Sequence, residues 1–343
     1  NKMSSIERIP VFVPSLGKDT IEHISKTIDA GWLGMGATTI EFEERIANFL
    51  DLKDRFVVST NTGTAALHIA LRAAGTGSGD EVITPSFNYV ADQQAIKMTG
   101  ADVVMCDIQD DNLGIDCKKA EKLISDKTKA ITCVHFGGNA CDMDEIRKIG
   151  KEFNLPIIED CAHALGSKYK GDFVGSKGDI ACFSLQVIKT ITCGDGGTIT
   201  TTKKDYYDKL KKYIWFGVDR DQKQMNLIDP LPEDIPTLGF KYNMNDIVAT
   251  LALSGLNTLE IPLKRRREIG ERYREELKDL TKIQLMEYYP DRTPNYQIFP
   301  IHVESRLEFA KHMQKLGIQV NVNNRRNDKY SMFGGIQNLP NVE

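Results

Sequence analysis

The chain has 343 residues, 41% hydrophobic and 27% charged, with a formal net charge of −4. That length supports a large core with a smaller domain beside it. The mild acidity argues against a general nucleic-acid or membrane-surface role, while local cations can still serve a small anionic substrate. In chain order, two helical segments come first, Thr20 to Asp29 and Thr39 to Leu50. The glycine-rich link Gly31-Trp-Leu-Gly-Met-Gly36 joins them, and Trp32 in it reads as packed on the neighbouring helix.

From residue 55 the chain alternates. Strand-like runs fall at 55–59, 81–84, 102–107, 129–134, 156–159, 179–185 and 198–202. Helix-like runs fall at 64–75, 89–98, 117–125, 143–153 and 204–214. This interval predicts an α/β fold with a mainly parallel central sheet and helices on both faces. The strands are continuously apolar, as expected when both faces are covered. A dinucleotide-binding domain shares this pattern, but no GxGxxG follows any strand.

Residues 215–240 break the alternation. The prolines of Asp229-Pro-Leu-Pro-Glu-Asp-Ile-Pro236 forbid a regular helix or central strand, so a long functional loop or an excursion to a partner subunit is expected. Met244 to Leu256 is a helix, with Asn243 or Asn245 near its cap. Glu260 to Leu280 is a charged helix whose Lys264-Arg-Arg-Arg267 run reads as a solvated face. Strands at Tyr296 to Val303 and Ile318 to Val322, with a helix at Ser305 to Leu316 between them, predict a small C-terminal α+β domain. The expected division is 1–256 and 257–343.

The seven cysteines are odd in number and form no CxxC pair. They read as buried free thiols in a reducing cytoplasm. No metal-ligand spacing and no zinc motif is visible. The first residues carry no apolar secretory stretch, and no run reaches the length of a membrane span.

Three stretches carry chemistry. In Asp179-Ile-Ala-Cys-Phe-Ser-Leu-Gln-Val-Ile-Lys-Thr-Ile-Thr-Cys-Gly-Asp-Gly-Gly197, Lys189 sits among Val187, Ile188 and Ile191. Desolvation there eases loss of its proton, the condition for a Schiff-base nucleophile. A snorkelling lysine is the alternative. Pro156-Ile-Ile-Glu-Asp160 delivers a carboxylate at a strand's C-terminal end, the edge where open α/β sheets bind ligands. Ser59-Thr-Asn-Thr-Gly-Thr-Ala-Ala66 is a strand, a small polar turn and a helix start, which makes an anion cradle. A phosphate cradle, an acid for a pyridinium and a lysine for an aldehyde are the handles of pyridoxal 5'-phosphate, PLP.

With these motifs the sequence resembles the DegT/DnrJ/EryC1/StrS group of sugar aminotransferases, fold-type-I PLP enzymes. The resemblance runs from about Ile9 to Leu256 and more loosely beyond. It rests on the Gly31–Gly36 link with Phe42-Glu-Glu44, Asn61-Thr-Gly-Thr-Ala-Ala-Leu67 and Gly79-Asp-Glu-Val-Ile-Thr-Pro85. Further markers are Glu159-Asp-Cys-Ala-His163, Phe183-Ser184 ahead of Lys189, Gly194-Asp-Gly-Gly197 and Gly239-Phe-Lys-Tyr-Asn-Met244.

The resemblance implies roles. Lys189 would bind the PLP aldehyde and then move the substrate proton. Keeping lysine favours transamination, since some relatives carry histidine there and do other chemistry. Asp160 would hold the pyridine nitrogen protonated, a helix N-cap being its alternative. His163 would reach the phenolic oxygen, or be a core histidine. Thr62, Gly63, Thr64 and Ser184 would hold the phosphate. Tyr89 would stack on the ring, or be a core aromatic. The relatives mostly have asparagine at 241 and arginine at 243, donated across a homodimer. Lys241 and Asn243 depart from this, leaving open which one serves.

The implied substrate is a nucleotide-diphospho keto sugar, with glutamate as amine donor. Trp32 would border it, and Arg220, Arg325 or Arg326 would meet the diphosphate. The Phe183–Gly197 and Lys241–Met244 stretches look closest to members that aminate C4 of a 4-keto-6-deoxy sugar. Amination at C3, a PLP-dependent sugar dehydratase and a non-catalytic regulator are the rival readings. The relatives also carry a further strand and helix after the position of Glu343.

Overall fold

The computed structural model describes residues 8–54, 56–219 and 234–342. Helices α1 (Thr20–Asp29) and α2 (Ala37–Phe49) open the chain. The alternating part follows as β1 (Val57–Thr60), α3 (Gly63–Ala73), β2 (Glu81–Pro85), α4 (Ala91–Thr99), β3 (Asp102–Cys106) and α5 (Cys117–Lys122). It continues through β4 (Thr128–Val134), α6 (Met143–Glu152), β5 (Ile157–Asp160), β6 (Lys168–Tyr169) and β7 (Asp172–Phe173). Next are β8 (Ile180–Ser184), β9 (Gly197–Thr201), α7 (Lys204–Tyr213), α8 (Asp246–Asn257) and α9 (Glu260–Leu277). The last part holds β10 (Ile283–Leu285), β11 (Arg292–Thr293), β12 (Ile301–Val303) and α10 (Arg306–Lys315).

The central sheet has seven strands in the order β1-β9-β8-β5-β4-β2-β3. Strands β3, β2, β4, β5 and β8 pair in parallel. Only β9 is reversed, antiparallel to both β8 and β1. Two reversals restore direction, so β1 points the same way as β8. The turns after β1, β2, β5 and β8 therefore leave from one edge of the sheet. Those after β1, β5 and β8 belong to the three stretches singled out above, and that after β2 carries Tyr89.

Every residue of β1, β5 and β9 is buried; apolar or small side chains permit this in β1 and β9, and in β5 the acids Glu159 and Asp160 are buried with hydrogen-bond partners. One face is covered by α3, α4 and α7 through Leu67, Ile69, Leu71, Ile96 and Leu210. The other is covered by α2, α5, α6 and α8 through Phe42, Ile46, Ala120, Ile146 and Leu253. The seven cysteines are buried and unpaired. No helix among the described residues is long and apolar enough to cross a membrane.

Three expectations need correcting. Ile318 to Val322 is not a strand; Ile318 makes a single parallel bridge to Ile9. The partner of β12 is β10, in antiparallel register. The strand expected from Tyr296 is confined to Ile301–Val303. The Lys264–Arg267 run is not wholly solvated either. Arg267 turns in to donate to the Gly166 carbonyl at 2.8 Å, and Arg266 bonds Thr190 and Gln297. Residues 286–297 return to the large sheet, where Met286, Tyr288 and Tyr296 share a core with Met105, Ile108 and Phe136.

Asp246 ties the first helices to α8. Its buried carboxylate accepts the backbone N–H groups of Gly36 (2.8 Å), Thr38 (3.2 Å) and Thr39 (3.1 Å), and the Thr39 hydroxyl (2.7 Å). It thus caps α2 from a distant part of the chain. Asp246→Ala strands several donors at once, and a loss of about 2–4 kcal/mol is expected. Urea unfolding measures it, and a change below about 0.5 kcal/mol would deny Asp246 this capping role.

Candidate active site

The turn after β1 begins α3. Thr62 is its N-cap and accepts the Ala65 N–H at 3.0 Å. The first bond into the helix is Ala66 N–H to the Thr62 carbonyl, so the N–H groups of Gly63 and Thr64 precede the ladder. They point out of the helix end together with its dipole. Ser184, last in β8, lies against Gly63: a Cβ at 63 would sit 2.9 Å from the Ser184 Cβ. That close approach requires glycine and brings the Ser184 hydroxyl to the same helix end.

Asp160 ends β5, buried, with its Oδ1 accepting the Ala162 N–H at 2.8 Å. No helix follows β5, so the helix N-cap alternative for Asp160 does not apply. Lys189 is half-buried in the turn after β8. Burial draws its ammonium below the usual lysine range, and the nearby Asp160 charge partly offsets this. His163 belongs to the same cluster. Burial first, then the Lys189 charge, hold its imidazole well below the usual histidine range. The Gly137 N–H donates to its Nδ1 at 3.4 Å, so the neutral ring carries its proton on Nε2.

The Lys189 turn is held from the C-terminal part of the chain. Gln297 donates to the Ile188 carbonyl at 2.6 Å and accepts the Thr190 hydroxyl at 2.8 Å. The Arg266 guanidinium reaches both Thr190 and Gln297, at 2.8 and 2.5 Å. A basic run on a helix gave no sign of this, because which arginine turns inward depends on packing.

Tyr89 is 70% exposed, which sets aside the core-aromatic alternative. Trp32 is 61% exposed, donates to the Met35 carbonyl, and lies with its ring against Gly36 at the start of α2. Lys241 places its amine 3.0 Å from the Trp215 ring centroid. Asn243 donates to the Met244 carbonyl, and the α8 cap is Asn245, whose side chain accepts the Val248 N–H. Arg325 is exposed. Arg326 is buried in a fork with Asp328 at 2.7–2.8 Å and also donates to the Gln337 carbonyl. Arg220, with residues 221–233 of the expected 215–240 excursion, lies outside the described residues.

Buried beside the site, His135 bonds Glu159 at 3.2 Å, and Arg147 reaches the other Glu159 oxygen at 3.1 Å. Cys161 completes a group whose ligand atoms lie within 4.8 Å of one another. The Cys141 N–H donates to the other His135 nitrogen, so both ring nitrogens are engaged within the protein.

These features fit PLP. An open helix end with a serine hydroxyl suits a phosphate, a buried carboxylate suits a pyridinium, and a desolvated lysine suits an aldehyde. Bound there, PLP supplies the electron-accepting ring that amino-group transfer needs. Fold and site together define a PLP-dependent aminotransferase.

Comparison with known proteins specifies the class. The profile of the DegT/DnrJ/EryC1/StrS aminotransferase family matches residues 14–331. GDP-perosamine synthase of Escherichia coli O157:H7 is 36% identical over 276 residues, covering 80% of this chain and 73% of the relative. The sugar aminotransferase CalS13 of Micromonospora echinospora superposes with a TM-score of 0.92 at 29% identity, covering 97% of this chain and 91% of that one. Spr1654 of Streptococcus pneumoniae in its PLP form gives 0.88 at 29% identity, covering 98% and 91%. The chain belongs to the DegT/DnrJ/EryC1/StrS aminotransferase family. It is a sugar aminotransferase and uses PLP.

Proposed function

We propose that the protein aminates C4 of a nucleotide-diphospho-4-keto-6-deoxy sugar, with glutamate as the amino donor, in the cytoplasm. The convergence of Lys189, Asp160 and His163 beside the α3 end carries the aminotransferase chemistry. Position C4 is supported by the likeness of Phe183–Gly197 and Lys241–Met244 to C4-aminating members, and a relative named for GDP-perosamine is compatible with a GDP-linked sugar.

In this reading Lys189 is nucleophile and proton carrier, and Asp160 keeps the ring nitrogen protonated. His163, neutral with its proton on Nε2, would donate a hydrogen bond to the phenolic oxygen. Thr62, Gly63, Thr64 and Ser184 hold the phosphate, and Tyr89 covers the ring. Trp32 and Arg325 border the sugar nucleotide. Arg326 is already paired with Asp328, so its part is to shape the 325–328 segment. Residues 1–256 form the cofactor domain and 257–343 the smaller one.

The deciding experiment offers paired 3-keto and 4-keto nucleotide sugars with nitrogen-labelled glutamate. NMR should find the label at C4. Label only at C3, or no reaction with either ketone, would reject the assignment.

The reading also includes a homodimer with shared sites. The Lys241 amine lies over Trp215 on the surface, and the matching family segment serves the second subunit. Sedimentation should give twice the chain mass. A monomer fully active at nanomolar concentration would contradict it.

A further inference from the structure

Behind Asp160 lies a second carboxyl that the reaction above does not use. Asp92, in the first turn of α4, is 1% exposed. Its carboxyl has that of Asp160 as a neighbour, by charge and by side-chain hydrogen bonding. Two carboxylates buried side by side do not both keep their charge.

The hydrogen bonds around Asp92 say where the proton goes. Asn88 accepts at its Oδ1 from Gln93 at 3.0 Å and from Asn327 at 2.5 Å. Its amide group is therefore the donor toward Asp92, and it meets Asp92 Oδ2 at 2.7 Å. Asp92 Oδ1 is buried with no donor from the protein. An anionic oxygen left so is costly, whereas a hydroxyl needs only an acceptor. The neighbouring acceptor is Asp160.

We infer that Asp92 is a positioning residue for Asp160, a neutral acid whose Oδ1 proton is donated to the Asp160 carboxylate. Ala162 N–H and Asp92 then hold Asp160 from two sides, leaving lone pairs that would serve the pyridine nitrogen. Burial first, then the Asp160 charge, push Asp92 well above the usual carboxylate range, in keeping with a neutral acid. The other titratable group facing it is Cys182, a thiol that burial also keeps protonated. Because Asn327 bonds Asn88, the C-terminal segment is connected to the cofactor's acid through three side chains.

The inference concerns the cofactor and does not depend on which sugar is used. Its test is PLP binding by apo protein, followed by absorbance titration without any sugar. Asp92→Asn keeps an acceptor for Asn88 and a donor for Asp160, and should bind PLP within about threefold of wild type. Asp92→Ala loses the donor, and should weaken PLP binding about tenfold or more. It should also shift the pH midpoint of the bound cofactor's absorbance. In an Asp160→Asn background, Asp92→Ala should add little, because its partner is no longer charged. If Asp92→Asn binds as poorly as Asp92→Ala, or if the two substitutions are additive, the inference is overturned. Unchanged PLP binding in a folded Asp92→Ala protein would overturn it equally. Should Asp92→Ala fail to fold, the Asn variant's affinity and pH midpoint decide alone.

Discussion

Lys189→Ala is expected to abolish covalent attachment of PLP and to lower turnover by about four orders of magnitude. Wild-type protein should be yellow and, after borohydride reduction, should carry the cofactor mass on the peptide containing Lys189. The variant should take up PLP without fixing it. Both functions are lost together because one amine is nucleophile and proton carrier. The turn that presents it is held on both sides, through Ile188 and Thr190, so no neighbouring lysine can replace it. The same structure predicts little effect on the fold of the apo protein. Lys189 is a partly desolvated ammonium, a group whose burial costs free energy, and truncating it removes that cost. A thermal midpoint within a few degrees of wild type should accompany the loss of activity. Reduced cofactor still fixed to the variant would move the nucleophile elsewhere in the chain.

What the sequence revealed follows from physical scale. Long apolar runs between helical segments announce a sheet covered on both faces, and the seven strands lie within a few residues of their expected places. Lys189, Asp160 and the 62–64 turn were legible because each breaks a local rule, a charge or polar turn at the end of a core strand. Asp92 breaks no such rule. An acid in the first turn of a helix is ordinary and favourable, so its burial against Asp160 becomes visible only when β5 and α4 are packed together. A basic helix run such as Lys264–Arg267 reads as solvated because helix charges usually are, yet the returning segment 294–297 draws Arg266 and Arg267 inward. Asp246 looks like a first-turn acid of α8 and proves to cap α2. The strands β6, β7 and β11 have two residues each, too few for any period to show.

Asp160→Asn is the sharper test of how the cofactor is driven. Asparagine has the same shape, and its carbonyl oxygen can still accept the Ala162 N–H, so the turn after β5 should persist. What disappears is one negative charge. Without it the pyridine nitrogen loses the partner that keeps it protonated, and the ring withdraws electrons less strongly as the substrate proton leaves. Removing a fixed charge aimed at a developing one costs about two to three orders of magnitude in kcat. PLP should still attach to Lys189, because the phosphate cradle is untouched and Lys189, relieved of an attracting charge, becomes easier to deprotonate. The expected pattern is therefore a protein that stays yellow and transfers amino groups very slowly. Wild-type turnover in this variant would mean that Asp160 serves the Ala162 turn alone and that the ring lies elsewhere. Restored activity with a cofactor analogue methylated on the ring nitrogen, which carries its positive charge permanently, would tie the defect to that nitrogen.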